Sequence, residues 1–320
     1  MHLDQPNKIS TSVDFQNDLP FVSVAIITLN SGSTIQQCLH SLSTLDYPPD
    51  KYEIIIVDGG STDGTMEVIG KFPVRVVVDK RRSRGLARNT AVMASRGEII
   101  AFTDADCLAS KDWLKDHVSI HHDPHILVVA GAVLQGGSFG LPTTLYHQTY
   151  FATQSPLTPR RKTWEIASAN ASFKASTFRI VGAFRQLDRG EESLLCWEVI
   201  QRGFDVIFDP SIRVIHLHKS MTYMSLLQRC WDEGYSDRCL QTAFGNFSPF
   251  RLPRRFAGTI AFSLSLCIAR AARYFIKLWT AGYRRIEAVL SIPVLLAASF
   301  YWVHGYATAA KKGGLENDSR

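Results

Sequence analysis

Two aspartates one residue apart end the stretch EIIAFTDADC, residues 98–107. Ile99 to Phe102 are four consecutive apolar residues, which suit a strand buried on both faces, and Asp104 and Asp106 follow where that strand should leave the sheet. Side chains two residues apart on an extended chain point the same way, so both carboxylates can face one ligand. Such oxygen ligands suit Mn²⁺ or Mg²⁺ completed by a substrate diphosphate, although paired aspartates also form ordinary turns.

Polar residues also end two other apolar runs. Asn30 ends VSVAIITLN, and Asp58 ends YEIIIVD before two glycines that let backbone approach a bound base or sugar closely. Taken alone, the loop after Asp58 is equally typical of an ordinary Gly/Ser/Asp loop. Because ligands bind beyond the carboxyl ends of parallel strands, we expect Asn30, Asp58 and Asp104 at one rim.

A run of basic residues, KRRSRGLARN, precedes and enters the next predicted helix. Cationic side chains at a helix N-terminus favour a diphosphate. Arg88, inside the helix, is the preferred contact, whereas Lys80 to Arg82 equally well form a solvated patch.

Alternating strand and helix patterns position these loops. From residue 21 onward they predict βαβ units with right-handed crossovers, and therefore an α/β, Rossmann-like fold with a mostly parallel sheet flanked by helices. We divide the chain into a flexible lead-in (1–20), a catalytic domain (21–246) and a C-terminal basic and apolar helical region (247–320).

Six collinear segments resemble the family 2 glycosyltransferases of the GT-A fold. They are VSVAIITLN, EIIIVDGGSTDGT, GLARNTAVMASRGEIIAFTDADC, SANASFKASTFRIVGAF, RGEESLLCWEVIQRGFDVIFDP and RVIHLHKSMTYMSLLQRCWDEG, covering about residues 21–235. The resemblance implies a GT-A fold, a nucleotide-sugar donor such as a UDP- or GDP-sugar, a divalent cation, and transfer with inversion at the anomeric carbon.

The resemblance also implies roles for single residues. Asp58 would contact the nucleotide base, Asp104 the ribose or sugar, Asp106 the metal, and Asn170 would line the acceptor side. Thr28, Asn30 and Arg88 are grouped with Asp58 and Asp104 as donor-binding residues.

The carboxylates in the segment RGEES are Glu191 and Glu192, which we class together as catalytic. By resemblance, the base position falls on Glu192. Inversion by single displacement needs a base beside the attacking hydroxyl, and a glutamate can serve. The alternative is an acidic first turn that only stabilises a helix dipole.

Two histidines, His216 and His218, follow a predicted strand and should share one face. By resemblance, one imidazole could complete the metal site or hold the diphosphate. We favour His216 as the metal ligand beside Asp106, with Asp104 and His218 as possible further ligands; either histidine could also be structural.

The C-terminal region is basic and apolar. No Asp or Glu lies between Arg238 and Arg285, which favours an anionic surface; a membrane suits the long apolar runs better than nucleic acid, which we exclude as a partner. The stretch 288–310 lacks Asp, Glu, Lys and Arg and is long enough to cross a bilayer, although a monotopic attachment is equally plausible. The basic residues are Arg251, Arg254, Arg255, Arg270, Arg273, Lys277, Arg284 and Arg285.

Within that region the spacing of Arg270, Arg273, Lys277 and Arg284 predicts a basic stripe on a helix that lies in the membrane interface. The opposite face would carry apolar residues, including Phe275 and Trp279, which would face lipid. The alternative is a solvated face of a helix packed on its own domain.

The polar N-terminus, MHLDQPNKIS, lacks the apolar core of a signal peptide, and the six cysteines show no CxxC pair or zinc spacing. The cysteine pattern predicts reduced core thiols, and the polar N-terminus predicts a catalytic domain in the cytoplasm. Together with the basic and apolar C-terminal region, this predicts a membrane-associated protein.

The function expected from these patterns is transfer of a sugar to a hydroxyl acceptor, such as a lipid-linked or cell-envelope glycan. One alternative is a polyprenyl-phosphate glycosyl synthase, whose anionic acceptor needs no base; the Glu191–Glu192 pair argues against it. The other is a non-catalytic scaffold of a glycan-assembly complex, which the intact Asp104–Asp106 pair disfavours.

Overall fold

A computed structural model describes residues 19–81, 83–187, 189–244, 260–280, 289 and 291–311. Most of the predicted lead-in (residues 1–18) lies outside the described residues, as do Arg251, Arg254, Arg255, Arg284 and Arg285 of the basic region. The strands are β1 Val22–Thr28, β2 Tyr52–Asp58, β3 Arg75–Val78, β4 Ile99–Asp104, β5 Cys107–Ala109, β6 Ile126–Gly137, β7 Arg161–Lys162, β8 Asn170–Lys174 and β9 Asp205–His218. The helices are α1 Ile35–Ser43, α2 Thr65–Ile69, α3 Arg84–Ala94, α4 Trp113–His121, α5 Leu141–Tyr150, α6 Ala175–Ile180, α7 Glu191–Gln201, α8 Tyr223–Phe244, α9 Ile260–Thr280 and α10 Ile292–Lys311.

The strands that the structure describes form one nine-stranded sheet in the order β3-β2-β1-β4-β8-β6-β9-β5, with β7 beside β9. Strands β1 to β4 are parallel to one another, but β8 runs antiparallel to both β4 and β6. The expected mostly parallel sheet is therefore correct for the first half only, and the whole sheet is mixed. The long strand β9 pairs with β6 along most of its length, with a register shift between Gly131 and Ala132 of β6.

The apolar runs of the central strands are buried on both faces of the sheet. On one face α1 and α4 cover them, with Ile35, Leu39 and Trp113 fully buried; on the other, Phe102 and Phe173 pack against the α7 side. Burying each such side chain contributes about 1.5–3 kcal/mol. This rigid centre fixes where the strand ends lie.

Strand register brings the predicted polar residues to one edge. Thr28 pairs with Asp58 at the end of β1 and β2, and Ile27 pairs with Asp104 at the end of β4. The expectation of a shared rim is confirmed for these three strands.

A helical layer formed by α8, α9 and α10 packs beside the sheet domain around its own cluster of buried residues. Two glycines allow α8 and α10 to approach closely: a Cβ on Gly234 would lie 1.9 Å from the Trp302 carbonyl oxygen, and one on Gly305 would lie 2.1 Å from that of Trp231. Helix α8, which lies within the predicted catalytic domain (21–246), therefore packs along a helix of the C-terminal region.

The predicted basic stripe on α9 is only partly correct. Arg270 is largely buried, with its guanidinium 4.4 Å from the Trp302 ring centroid and 3.6 Å from the Glu233 carboxylate. Arg273 is exposed, as expected. Of the apolar side chains expected to face lipid, Phe275 packs in the helical layer, whereas Trp279 is 45% exposed.

Among the helices of the described ranges, none combines the length and the apolar character that a membrane crossing requires. The stretch 292–311 is a helix, α10, whose buried side chains include Leu295, Trp302 and Tyr306. All six cysteines are free and buried, as predicted.

Candidate functional site

A cavity of about 710 Å³ lies at the carboxyl edge of β1 and β4. Its volume is within the range of small-molecule sites. We call it the donor-side cavity. Its lining includes Thr28, Asn30, Arg84, Arg88, Asp104, Asp106, Tyr146, Tyr150, Glu192, His216, His218, Lys219 and Arg229.

One wall of this cavity carries a group of possible metal ligands. Atoms of Asp104, Asp106, Cys107 and His216 all lie within 4.8 Å of one another. The pairing of β5 with β9 sets Cys107 opposite His216, and the Leu217 amide donates a 2.7 Å hydrogen bond to the Asp106 carbonyl. As a result, Asp106 Oδ1 lies 3.4 Å from His216 Nε2. The predicted ligands Asp106 and His216 are therefore neighbours, and Asp104 joins them.

The chemistry of this group fits a hard divalent cation. Burial raises the pKa of Asp106, and the charge of Asp104 raises it further, although His216 opposes both; a bound cation would relieve this cost. Burial and the two aspartates hold the thiol pKa of Cys107 well above its usual range, so the thiol stays protonated. Two carboxylates and one imidazole remain as possible ligands, and this combination suits Mn²⁺ or Mg²⁺.

His218 lies behind His216 and not in the ligand group. Its ring stacks on that of His216 with centroids 4.2 Å apart, and its Nε2 is 2.8 Å from Nδ1 of His147. Burial lowers the pKa of His218 to about 3 and that of His147 to about 4, so both imidazoles are neutral at pH 7. His218 therefore supports the ring of His216.

Arg88 and Glu191 form a buried ion pair at the cavity wall. Arg88 also donates to the Ser168 hydroxyl, and both charged side chains are at most 5% exposed. The guanidinium predicted to bind diphosphate is thus engaged inside the protein. Arg88 holds one oxygen of Glu191, and Glu191 does not line the donor-side cavity, so its catalytic role stays a prediction.

Glu192 is placed differently from its neighbour. It is 7% exposed, and its buried Oε2, like that of Glu191, finds no hydrogen-bond partner within the described part of the chain; the difference is that Glu192 lines the cavity wall. Glu192, together with Tyr150 and Ala167, lines both the donor-side cavity and a second cavity of about 250 Å³. An unpartnered carboxylate between two cavities can accept a proton from a ligand in either one.

Comparison with known families decides the relationship. The model of glycosyl transferase family 2 matches residues 23–183, just over half of the chain. The chain belongs to glycosyl transferase family 2.

Curated glycosyltransferases share parts of the sequence. Glycosyltransferase AglE of Haloferax volcanii is 38% identical over 121 residues, 36% of this chain and 40% of that protein. The poly(ribitol-phosphate) beta-N-acetylglucosaminyltransferase TarS of Staphylococcus aureus is 29% identical over 136 residues, 40% of this chain and 23% of TarS. The chain thus spans less than half the length of these relatives.

The fold resembles that of a solved glycosyltransferase structure. The mannosyltransferase PcManGT from Pyrobaculum calidifontis, in complex with GDP-Man and Mn²⁺, superimposes with a TM-score of 0.61 at 21% identity. The match covers 95% of this chain and 89% of that one. The predicted GT-A-like α/β fold is therefore confirmed, with a mixed sheet.

By the family 2 resemblance, Asp58 would contact the nucleotide base. Its side chain is buried, since the residue is 2% exposed, and it forms hydrogen bonds within the loop that follows it. Its carboxylate accepts 2.9 Å hydrogen bonds from the amides of Gly60 and Ser61 and a 2.5 Å bond from the Ser61 hydroxyl. Gly60 has φ of +90°, which L side chains rarely adopt. Asn30 ties the neighbouring loop to this one, because its Oδ1 accepts the Thr62 amide at 2.9 Å.

Asn170 does not reach either cavity. It is fully buried in β8, where its Oδ1 accepts from Trp113 Nε1 at 2.8 Å and its Nδ2 donates to the Ala132 and Ile212 carbonyls at 2.9 and 3.1 Å. Nδ2 thereby bridges the backbones of β6 and β9. The expectation that Asn170 lines the acceptor side is contradicted by these contacts.

Three cations at the donor-side cavity were not singled out from the sequence. Arg84 lies one turn before Arg88, and although burial alone would lower its pKa, Tyr150, Asp104 and Glu192 more than offset this and raise it. Lys219 follows β9, and Arg229 lies over the ring of Tyr146 at 4.9 Å. Arg84 stands in the basic run KRRSRGLARN, so a signal for it existed.

Proposed function

We propose that this protein is an inverting, metal-dependent glycosyltransferase that moves a sugar from a nucleotide sugar to an acceptor hydroxyl. The observation that carries the proposal is the position of Glu192. Its unpartnered carboxylate oxygen lies between the cavity that holds the Asp104–Asp106–His216 group and the second cavity.

The proposed reaction is a single displacement. The acceptor oxygen attacks the anomeric carbon, Glu192 takes the hydroxyl proton, and the bond from that carbon to the diphosphate breaks with its electron pair leaving on oxygen. Asp106 and His216, with Asp104, would hold Mn²⁺ or Mg²⁺, which when bound neutralises charge on the departing diphosphate. Arg84 and Lys219 add positive charge at the same cavity.

The donor would be a UDP- or GDP-sugar bound along the ends of β1, β2 and β4. Thr28 and Asn30 line the donor-side cavity, and the loop after Asp58 offers backbone to the base. PcManGT, a structure of the same fold, was solved with GDP-Man and Mn²⁺.

We further propose a lipid-linked or cell-envelope glycan as acceptor and a membrane-associated protein with its catalytic domain in the cytoplasm. Exposed apolar side chains on α9 and α10 support the membrane association: Ile268, Ile276, Trp279 and Phe300 are 45–60% exposed. Six free, buried thiols are in keeping with a reducing compartment.

The test is thermal stabilisation by UDP- and GDP-sugars with and without Mn²⁺. We expect at least one donor to raise the melting temperature only with Mn²⁺, because a ligand at 100 times its Kd adds about 2.7 kcal/mol. Asp106→Asn should remove that metal-dependent shift, and Asp50→Asn, an exposed carboxylate away from both cavities, should retain it. If no nucleotide sugar stabilises the protein with Mn²⁺, the proposal fails.

A further inference from the structure

The second cavity lies between the sheet domain and the helical layer. One side is formed by the segment around Trp164 and Glu165 and by the start of α7, and the other by Asp237 of α8 and Arg270 of α9. At about 250 Å³ it is smaller than sites for drug-sized ligands, which occupy about 300–1,000 Å³, and its size suits one sugar ring. It shares Glu192 with the wall of the donor-side cavity.

The charged groups of this cavity are mixed in sign. Its carboxylates are Glu165, Glu192, Glu233 and Asp237, and its guanidinium groups are Arg189, Arg270 and Arg273. Acidic groups already face these guanidinium groups: Arg189 lies 3.7 Å from Asp232, and Arg270 lies 3.6 Å from Glu233.

This balance favours a neutral, hydroxyl-rich ligand over a free anion. A phosphate would face four carboxylates, whereas sugar hydroxyls donate to carboxylates and accept from guanidinium groups. Tyr150, Trp164 and Tyr274 in the wall add apolar surface for the ring carbons. Oε1 of Glu233 is buried and unpartnered within the described residues, so it can accept one such hydroxyl.

An apolar crevice of about 220 Å³ adjoins this cavity. It is lined by Leu266, Ala269 and Trp302, and it shares Arg270 and Arg273 with the second cavity. The order of features is therefore the donor-side cavity, Glu192, the second cavity, the two arginines and the crevice. On the same helix, Ile268 is 55% exposed, so the apolar surface extends beyond the crevice.

We propose that the acceptor is a glycolipid, with its terminal sugar in the second cavity and the first part of its hydrocarbon chain in the crevice between α9 and α10. The inference rests on the proposed function and names the acceptor class and the residues that select it. A sugar without an apolar group would leave the crevice unused, and a free alkyl chain would not bring a hydroxyl to Glu192. The two spaces share Arg270 and Arg273 in their walls, so a ligand that passes these two side chains would occupy both.

The experiment compares methyl and octyl glycosides as acceptors for the full chain, with Mn²⁺ and the donor that stabilises it best. The panel is glucose, galactose, mannose and N-acetylglucosamine, with octyl glycosides kept below their micelle concentrations. We expect the octyl form of an accepted sugar to have a KM at least about tenfold lower than the methyl form, because its chain buries apolar surface.

Ala269→Phe fills the crevice from an exposed position on α9 and should bring the ratio of the two KM values close to one. Ala272→Phe is the matched control: it adds the same ring to an exposed alanine of α9 outside the crevice lining, and it should leave the ratio as in the wild type. Asp237→Asn should raise KM for both acceptors by about tenfold, because it removes a charged hydroxyl acceptor from the second cavity.

Calorimetric binding of the donor separates this inference from the proposed function. If no donor binds, the proposed function itself is wrong. If the donor binds and is hydrolysed, three outcomes overturn the inference alone: no octyl glycoside acts as acceptor, methyl and octyl forms have equal KM, or the two alanine variants change the ratio equally.

Discussion

The two cavities that share Glu192 as a wall residue are built in different ways. The donor-side cavity takes much of its wall from the ends of parallel strands, where Thr28 and Asp104 are held by sheet register. The second cavity takes much of its wall from helix side chains, including Asp237 and Arg270, which lie outside residues 23–183 matched by the family model. We therefore expect the donor side to resemble that of other family members and the acceptor site to be specific to this protein.

The difference teaches where specificity can change. Strand ends at the centre of a sheet move only if the core is repacked, so the donor side is constrained. Helix packing tolerates new side chains more readily, provided that the close approach at Gly234 and Gly305 is kept.

Glu192→Gln tests the residue shared by the two cavities and should have the largest effect on activity. Transfer to a hydroxyl acceptor should fall by about 10²–10⁴-fold, because an amide cannot take the proton. Donor binding with Mn²⁺, measured by calorimetry, should stay close to the wild-type value. A phosphate acceptor needs no base, so transfer that largely survives would indicate a polyprenyl-phosphate glycosyl synthase instead.

Arg88→Met tests the buried support of the donor side. The variant leaves Glu191 charged and unpaired in a buried position, and the free energy of unfolding in urea should fall by about 3–5 kcal/mol. Adding Glu191→Leu should recover much of the loss. Equal stability of the single variant and the wild type would show that the ion pair does not support this wall.

Gly234→Ala tests the packing of the helical layer. The new Cβ would meet the Trp302 carbonyl oxygen at 1.9 Å, so α8 and α10 must separate, at a cost of about 1–3 kcal/mol in urea unfolding. Gly140→Ala is the control, because its Cβ would meet nothing closer than 3.9 Å. We expect acceptor KM to rise in the Gly234 variant while donor binding is retained; the opposite pattern would contradict the assignment of the two cavities.

The dependence of stability on pH tests the sheet core that supports both cavities. Each buried histidine of this core should change the free energy of unfolding by less than the substitutions above. Burial lowers the pKa of His117 to about 4, against about 6.5 in the unfolded chain. The unfolded state therefore binds more protons between these values, and stability should fall as the pH drops from about 6.5 to 4. His117→Gln should reduce, but not abolish, the difference in urea midpoint between pH 7 and pH 5, because His121 and His147 behave alike. An unchanged difference would contradict this origin.

By itself the sequence determined the features that depend on neighbouring residues. Apolar runs specified the central strands, and acidic and polar residues after them specified the rim, because parallel strands end at one edge. The pairing of Asp106 with His216 was also predicted, although only from family resemblance, since the β5–β9 pairing that joins them is not local.

Only the tertiary structure decided which charged side chains stay available. Arg88 and Glu191 are 103 residues apart, and neither segment reveals that they neutralise each other. Asn170 is a core residue because β8 runs antiparallel between β4 and β6. The five-residue sequence of this strand does not predict that arrangement. The second cavity depends on helix packing through Gly234 and Gly305, since close approach of two helices is set by both surfaces together.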